Sequence, residues 1–383
     1  MTIEEILSNE ELRQHEFPVV REKIFLSHAA VCPLPRRVSE AICNYTKQCT
    51  LGDQEALVPA TQIQNTRELA ARLLGAKTDE IALVGPTSLG LSFVASGLQL
   101  RKGDNILIYF DDYPSNVYPW MNLAEKGVQV RLMNVRELGK IRPIDVIGQV
   151  DENTKLVALA SSHFVAGYRI DLLAIGEFLR KRKILFCLDA IQTLGAFPTT
   201  VENVDFAAAD AHKWLLGPCA AGILYVRKSA QEKLKPTVFG WHNVNSPNFT
   251  AQEQIVHPTN ARRYEAGSEN FLGIIGMHAA MEMLLELGID NIAEELLRKR
   301  KLLVSGLQSK DYKVLQGDAA PENASAIISF YRENFDMAAL HKKLDEANIV
   351  TSLRNDRSGQ RYIRLSPHFY NTDAELNRVL ELV

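Results

Sequence analysis

Lys213 stands where a lysine is uncommon. It follows the apolar run "VDFAAADA" (204–211), sits between His212 and Trp214, and leads into the glycine-bearing segment "LLGPCAAGILYV". An ammonium held in an apolar pocket has its pKa lowered, which makes the amine a better nucleophile and proton carrier. Asp189 closes another apolar run, "KILFCLD" (183–189). Taken alone, the two residues are satisfied by a buried ion pair. A third element is "LVGPTSLGLSFVASGL" (83–98), where Gly85, Thr87 and Ser88 fall at the start of an apolar-faced helix. Free N–H groups and the helix dipole favour an anion there. Plain N-capping by the hydroxyls is the alternative. No Gly-Lys-Ser/Thr follows, so this is not a nucleotide-binding loop of the Walker type. An amine for an aldehyde, a carboxylate for a pyridine nitrogen and a cradle for a phosphate are together what pyridoxal phosphate requires.

These groups must be carried to one place by the elements around them. "DNILIYF" (104–110), "VQVRLM" (128–133), "KLVALASSHF" (155–164), "KILFCLDA" (183–190), "VDFAAADA" (204–211) and "AGILYVRK" (221–228) read as buried strands. Amphipathic stretches such as "DLLAIGEFLRKRK" (171–183) lie between several of them. Continuous apolar strands alternating with helices predict an α/β fold with a mainly parallel sheet covered on both faces. Ligands of such sheets gather at the C-terminal strand ends, where Asp189 and Lys213 fall. From about residue 270 the texture changes: a long helical stretch (271–307) is followed by "ASAIISFYR" (324–332), "DMAALHKKLDEANIV" (336–350) and "RYIRLSPHF" (361–369). The expected division is an N-terminal arm (1–20), a large domain (21–270) and a small C-terminal α+β domain with its connecting helix (271–383).

Composition narrows the function. The net charge is −3 and no long basic run occurs, so neither nucleic acid nor anionic lipid is expected as a partner. No apolar run approaches the ~20 residues of a membrane span. The N-terminal stretch is acidic and lacks a signal-peptide pattern. The five cysteines are scattered without a C-x-x-C pair, so no disulfide framework and no metal site is expected. A cytoplasmic enzyme fits these features. The first strand–turn lacks G-x-G-x-x-G, which argues against the different-class alternative, an NAD-dependent dehydrogenase.

Eight ordered blocks then resemble the class V aminotransferase group of fold-type I pyridoxal-phosphate enzymes. They are "FLSHAAVCPLP" (25–35), "GPTSLG" (85–90), "DDYPSNVYPW" (111–120), "SSHFVAGYRIDL" (161–172), "LDAIQTLGAFP" (188–198), "DAHKWLLGP" (210–218), "RRYEAGSEN" (262–270) and "YIRLSPHFYNT" (362–372). The group includes cysteine desulfurases, C–S lyases, isopenicillin-N epimerase-like proteins and kynureninases. The resemblance implies a seven-stranded type of sheet between helices and a homodimer with shared active sites. It implies that Lys213 carries the cofactor as a Schiff base, that Asp189 pairs with the pyridine nitrogen, and that Gln192 bonds the ring hydroxyl. Thr87, Ser88 and His212 would hold the phosphate, and Ser268 would reach it from the partner subunit. Tyr113 would stack on the cofactor ring. Arg364 would grip the substrate carboxylate, for which a guanidinium fork is suited. His28, His163 and Trp241, in the Gly-Trp loop "FGWHNVNSPNF" (239–249), would line the substrate pocket.

Two departures shape the expected reaction. Desulfurases of this group use a mobile cysteine in the C-terminal domain, but "VTSLRNDRSGQRYIR" (350–364) has none, and no cysteine follows Cys219. Cys32 and Cys219 are the remaining thiols near the site and are expected to serve packing. Asp210 stands close to the phosphate site, where a carboxylate is repelled, so it is expected to turn away, toward an arginine. The favoured function is a β-eliminating or C–S lyase without a persulfide cysteine. An aminotransferase or amino-acid epimerase of the same group is the alternative.

Overall fold

The computed structural model describes residues 1–383. Two short helices (Ile3–Ser8 and Glu10–Glu16) precede α1 (Arg36–Cys49) and α2 (Ala60–Leu74). Seven strands then form one sheet: β1 (Ile81–Val84), β2 (Asn105–Ile108), β3 (Gln129–Leu132), β4 (Thr154–Ala160), β5 (Leu185–Asp189), β6 (Phe206–Asp210) and β7 (Gly222–Val226). Their order is β1-β7-β6-β5-β4-β2-β3. Only β7 runs antiparallel to its neighbours. β2, β6 and β7 are buried along their whole length, as strands covered on both faces must be, whereas β3 at the edge is half-exposed.

Helix α3 (Thr87–Gly97) lies directly on β6. A Cβ on its Gly90 would come within 3.0 Å of the Ala208 Cβ, so glycine sets how closely helix and sheet approach. Helix α4 (Leu172–Lys181) is capped by Asp171, which accepts from the Ala174 N–H at 2.9 Å.

The helical stretch expected over 271–307 is two helices, α5 (Phe271–Leu287) and α6 (Ile289–Gln308), bent by 79°. Gly288 between them adopts φ +84°, a conformation that ends a helix. Ile274, Met277, Met281 and Leu284 of α5 are buried in the core of the large sheet. Leu303, Val304 and Leu307 of α6 belong to a second core. No single helix is long and apolar enough to cross a membrane.

That second core lies against an antiparallel four-stranded sheet of β8 (Lys313–Val314), β9 (Ile328–Tyr331), β10 (Ser352–Asn355) and β11 (Arg361–Leu365), ordered β10-β11-β9-β8. Helices α7 (Met337–Glu346) and α8 (Asp373–Leu382) contribute Leu340, Leu344, Leu376 and Val379 to it. An N-terminal segment joins this unit. Ile24–Phe25 pair in parallel with Ile349–Val350, Ser27 bridges to Ser366, and Leu26 is buried in the second core. We propose the division into an arm (1–20), a large unit (21–270) and a small unit (271–383), with residues 24–28 reassigned to the small one. Ile24 and Leu26 pack into the second core, and Ser27 and His28 hydrogen-bond to Ser352, Ser366 and Tyr370.

Candidate active site

β5 and β6 are parallel neighbours, so their C-terminal ends lie side by side. Asp189 ends β5, Asp210 ends β6, and Lys213 follows in the turn after β6. They open into a cavity of about 300 Å³, lined also by Ala29, Thr87, Ser88, Tyr113, Gln192, His212, Arg354 and Arg364. The structure thus brings together Lys213, Asp189, Tyr113, Thr87, Ser88, Gln192, His212 and Arg364 of the residues expected from sequence.

The electrostatics follow from burial. Desolvation lowers the Lys213 ammonium from its usual range to about 8; Asp189 opposes that shift and Arg364 adds to it. Lys213 Nζ lies 5.3 Å from the centroid of the Tyr113 ring. Desolvation, with the nearby Asp112 carboxylate adding to it, raises the Asp189 carboxyl to about 7. Asp189 Oδ1 accepts from the Ile191 N–H at 3.1 Å. An acid so placed is short of positive charge, and a protonated ring nitrogen would supply it.

Thr87 and Ser88 begin α3, whose N-cap, Pro86, offers no side-chain hydrogen bond. The capping alternative for these hydroxyls is therefore not realised. Thr87 Oγ1 is buried without any hydrogen-bond partner. Such an orphaned donor at a helix N-terminus suits a phosphate oxygen. Gln192 Nε2 donates to the Ala29 carbonyl at 3.2 Å and its Oε1 accepts from Trp214 Nε1 at 3.0 Å, which leaves one amide hydrogen for the cavity. An orphaned hydroxyl, a cation-seeking acid and a buried amine fit pyridoxal phosphate.

Asp210 stays on the cavity wall instead of turning away, and its Oδ1 lies beside His212 Nδ1, not an arginine. The expectation of an arginine partner is corrected: two residues along the turn, the imidazole already lies beside the carboxylate.

Four expected residues lie elsewhere. His28 is turned away from the cavity, which residues 29–31 line instead. Its Nδ1 donates to the Ser366 carbonyl at 2.9 Å, and its Nε2 accepts from Tyr370 Oη at 2.6 Å. His163 Nε2 donates to the Asp111 carbonyl at 2.9 Å and its Nδ1 accepts from the Ala166 N–H at 2.9 Å. It thereby braces the loop that carries Phe164, which does line the cavity. Trp241 is exposed and packs edge-on to Phe249, outside this cavity. Ser268 borders a separate hollow beside Gly85, Leu89 and Glu269.

Burial lowers His28 from 6.5 to about 4. The folded state therefore keeps it neutral while the unfolded chain takes up a proton below 6.5, so its stabilisation falls as pH drops from 6.5 towards 4. Asp112 and Asp189, raised by burial, act in the opposite direction. A comparison with a variant isolates the histidine. His28→Gln is expected to be less stable than wild type at pH 7, with the difference shrinking by about 2 kcal/mol at pH 5 in urea denaturation. A difference independent of pH would contradict this.

Sequence reasoning passed over Asp112 and Arg354. Asp112 accepts from the Tyr113 N–H at 2.7 Å and from Asn116 Nδ2 at 2.9 Å. The Asp-x-x-x-Asn spacing inside "DDYPSN" was its signal.

A buried lysine and acid on adjacent parallel strand ends, with a helix N-terminus opposite, form the site of a fold-type I pyridoxal-phosphate enzyme. The sequence profile described as "Aminotransferase class-V" matches residues 24–379. The chain belongs to this family of pyridoxal-phosphate-dependent enzymes. A probable cysteine desulfurase of Methanothermobacter thermautotrophicus is 30% identical, over 97% of this chain and 96% of the relative. An uncharacterized aminotransferase of Bacillus subtilis is 27% identical, over 95% of each. Among solved structures, the apo cysteine desulfurase of Thermococcus onnurineus NA1 superposes with a TM-score of 0.88 at 22% identity, covering 97% of this chain and 96% of that one. The cystine C–S lyase C-DES, in complex with cysteine persulfide, gives 0.85 at 20% identity, covering 95% and 98%. At those identities the likeness is one of fold.

Proposed function

We propose that this enzyme cleaves the carbon–sulfur bond of a sulfur-containing amino acid by β-elimination, without a persulfide cysteine. One observation carries the reading that no persulfide cysteine takes part: no thiol lines the cavity. Residues 350–364, matched to the segment where a desulfurase keeps its mobile cysteine, carry the β10–β11 hairpin, whose turn is held by Asp356, accepting from the Ser358 and Gln360 N–H groups. Burial pushes the Cys32 thiol up to about 12, which leaves it unreactive. The relatives named as a probable cysteine desulfurase and a cystine C–S lyase support the same reading, while the Bacillus subtilis relative is named an aminotransferase.

Thr87, Ser88 and His212 would hold the phosphate, Gln192 would bond the ring hydroxyl, and Tyr113 would lie against the ring. Bound there, the cofactor supplies a sink for the electron pair left at the substrate Cα. Asp189 keeps the ring nitrogen protonated. Arg364 holds the α-carboxylate and so orients the Cα–H bond. Lys213 Nζ takes the Cα proton and returns it to the departing sulfur as the Cβ–S bond breaks. With one water consumed, a cysteine derivative yields pyruvate, ammonia and a thiol. Ser268 acts on the cavity of a second copy in a homodimer, consistent with its exposed position beside a separate hollow. All five cysteines are unpaired, in keeping with a cytoplasmic enzyme.

The test is a panel of L-cysteine, L-cystine and S-substituted cysteines, with and without a keto-acid acceptor. Pyruvate and thiol are expected in equal amounts with no acceptor present. Keto acid formed only when an acceptor is supplied would overturn the reading in favour of an aminotransferase. Loss of optical activity without pyruvate would favour an epimerase.

A further inference from the structure

The cavity holds more positive charge than these roles use. Arg354 lies on β10 and Arg364 on β11, and both line the cavity. Ser352 is the register partner of Arg364, and Arg354, two positions on, shares its face, so the two arginines are diagonal neighbours. Both spend their hydrogen bonds on neutral groups. Arg354 Nη1 donates to the Leu353 carbonyl at 2.9 Å. Arg364 donates to the Phe164 carbonyl at 2.6 Å and to Ser352 Oγ at 3.4 Å, and its buried Nε has no partner. Arg357, in the turn of the same hairpin, does meet a carboxylate, that of Asp111 at 3.4 Å.

Neither acid that lines the cavity pairs with Arg354 or Arg364. Asp210 pairs with His212, and Asp189 sits at the end of β5. Burial depresses both guanidinium groups, and the Arg354 charge adds to the effect at Arg364. Like charges on one sheet face, partly desolvated, repel unless anions meet them. A single α-carboxylate answers only one of the two.

We infer that Arg354 is a specificity residue that receives a second anion, so that the preferred substrate is an amino acid whose sulfur substituent ends in a carboxylate or similar acid group. This rests on the proposed amino-acid site and deepens it. The guanidinium of Arg354 distinguishes an acid from its neutral isostere, because only the acid replaces the lost hydration of the charge.

The test uses the cofactor-loaded enzyme and two near-isosteric ligands, S-carboxymethyl-L-cysteine and S-carbamoylmethyl-L-cysteine. Dissociation constants come from the change in cofactor absorbance on binding, and pyruvate is scored separately. The wild type is expected to bind the acid at least about tenfold more tightly than the amide, with the preference in KM and not in kcat. Arg354→Gln is expected to bring the ratio to within about threefold, and Arg354→Lys to retain part of it. Equal dissociation constants in the wild type would overturn the inference, and that comparison needs no variant to fold. A wild-type preference without pyruvate leaves Arg354 standing and overturns the lyase reading; pyruvate without a preference does the reverse.

Discussion

Lys213→Ala is expected to lose turnover by roughly 10⁴-fold, because one amine both anchors the cofactor and moves the proton at Cα. The purified variant is expected to lack the borohydride-sensitive absorbance band of the wild type. A small primary amine such as methylamine, added to the assay, is expected to restore part of the rate. Loss of chemistry is separable from loss of fold. The ammonium is held at about 8 in the folded chain against an ordinary value of 10.5. The unfolded chain therefore binds that proton more readily, and the folded state carries the whole penalty below pH 8. Without cofactor, the alanine variant is thus expected to be no less stable than wild type at pH 7 in urea. Retention of more than a tenth of the wild-type kcat would remove Lys213 from the mechanism.

Asp189→Asn has the second largest expected effect. The substitution preserves shape, and the amide oxygen still accepts from the Ile191 N–H, so the end of β5 keeps its geometry. What disappears is the negative charge that keeps a ring proton in place while electrons move toward it. A fall in kcat of about 10³-fold is expected, the scale of removing one preorganised electrostatic partner. The bound cofactor's absorbance is also expected to titrate at lower pH than in the wild type. A loss of less than tenfold, with an unchanged spectrum, would mean that the carboxylate serves only to pack the strand end.

The sheet was legible because its strands are unbroken apolar runs that stop at polar residues. That stopping point located Asp189 and, through the next strand, Lys213 on one edge. The helix start at Thr87 was legible as position but not as purpose; only its orphaned hydroxyl separates an anion cradle from a cap. The bend at Gly288 was hidden because the apolar pattern continues through it. His28 and His163 were expected in the pocket because the resemblance places the N-terminal segment and the strand-end loop there, yet both ring nitrogens of each are committed to internal hydrogen bonds. Arg354 was invisible because its importance lies in hairpin register, which couples it to Arg364 across two strands. Asp210 was misjudged because its partner was sought far away when it stood two residues on.

The pairing of Ile24–Phe25 with Ile349–Val350 bears on how the molecule reaches activity. Ser27 and Ser352, 325 positions apart, meet through their hydroxyls at 2.6 Å. Residues 29–31, at the lip of the cavity, continue directly from that seam. A nascent chain emerging from the ribosome holds one half of the seam long before the other half exists, and closing so large a loop is slow. The catalytic mouth is therefore complete only when both ends of the chain are in place, because residues 29–31 run from the seam with 349–352 on one side to the Ala29 carbonyl that accepts from Gln192 on the other.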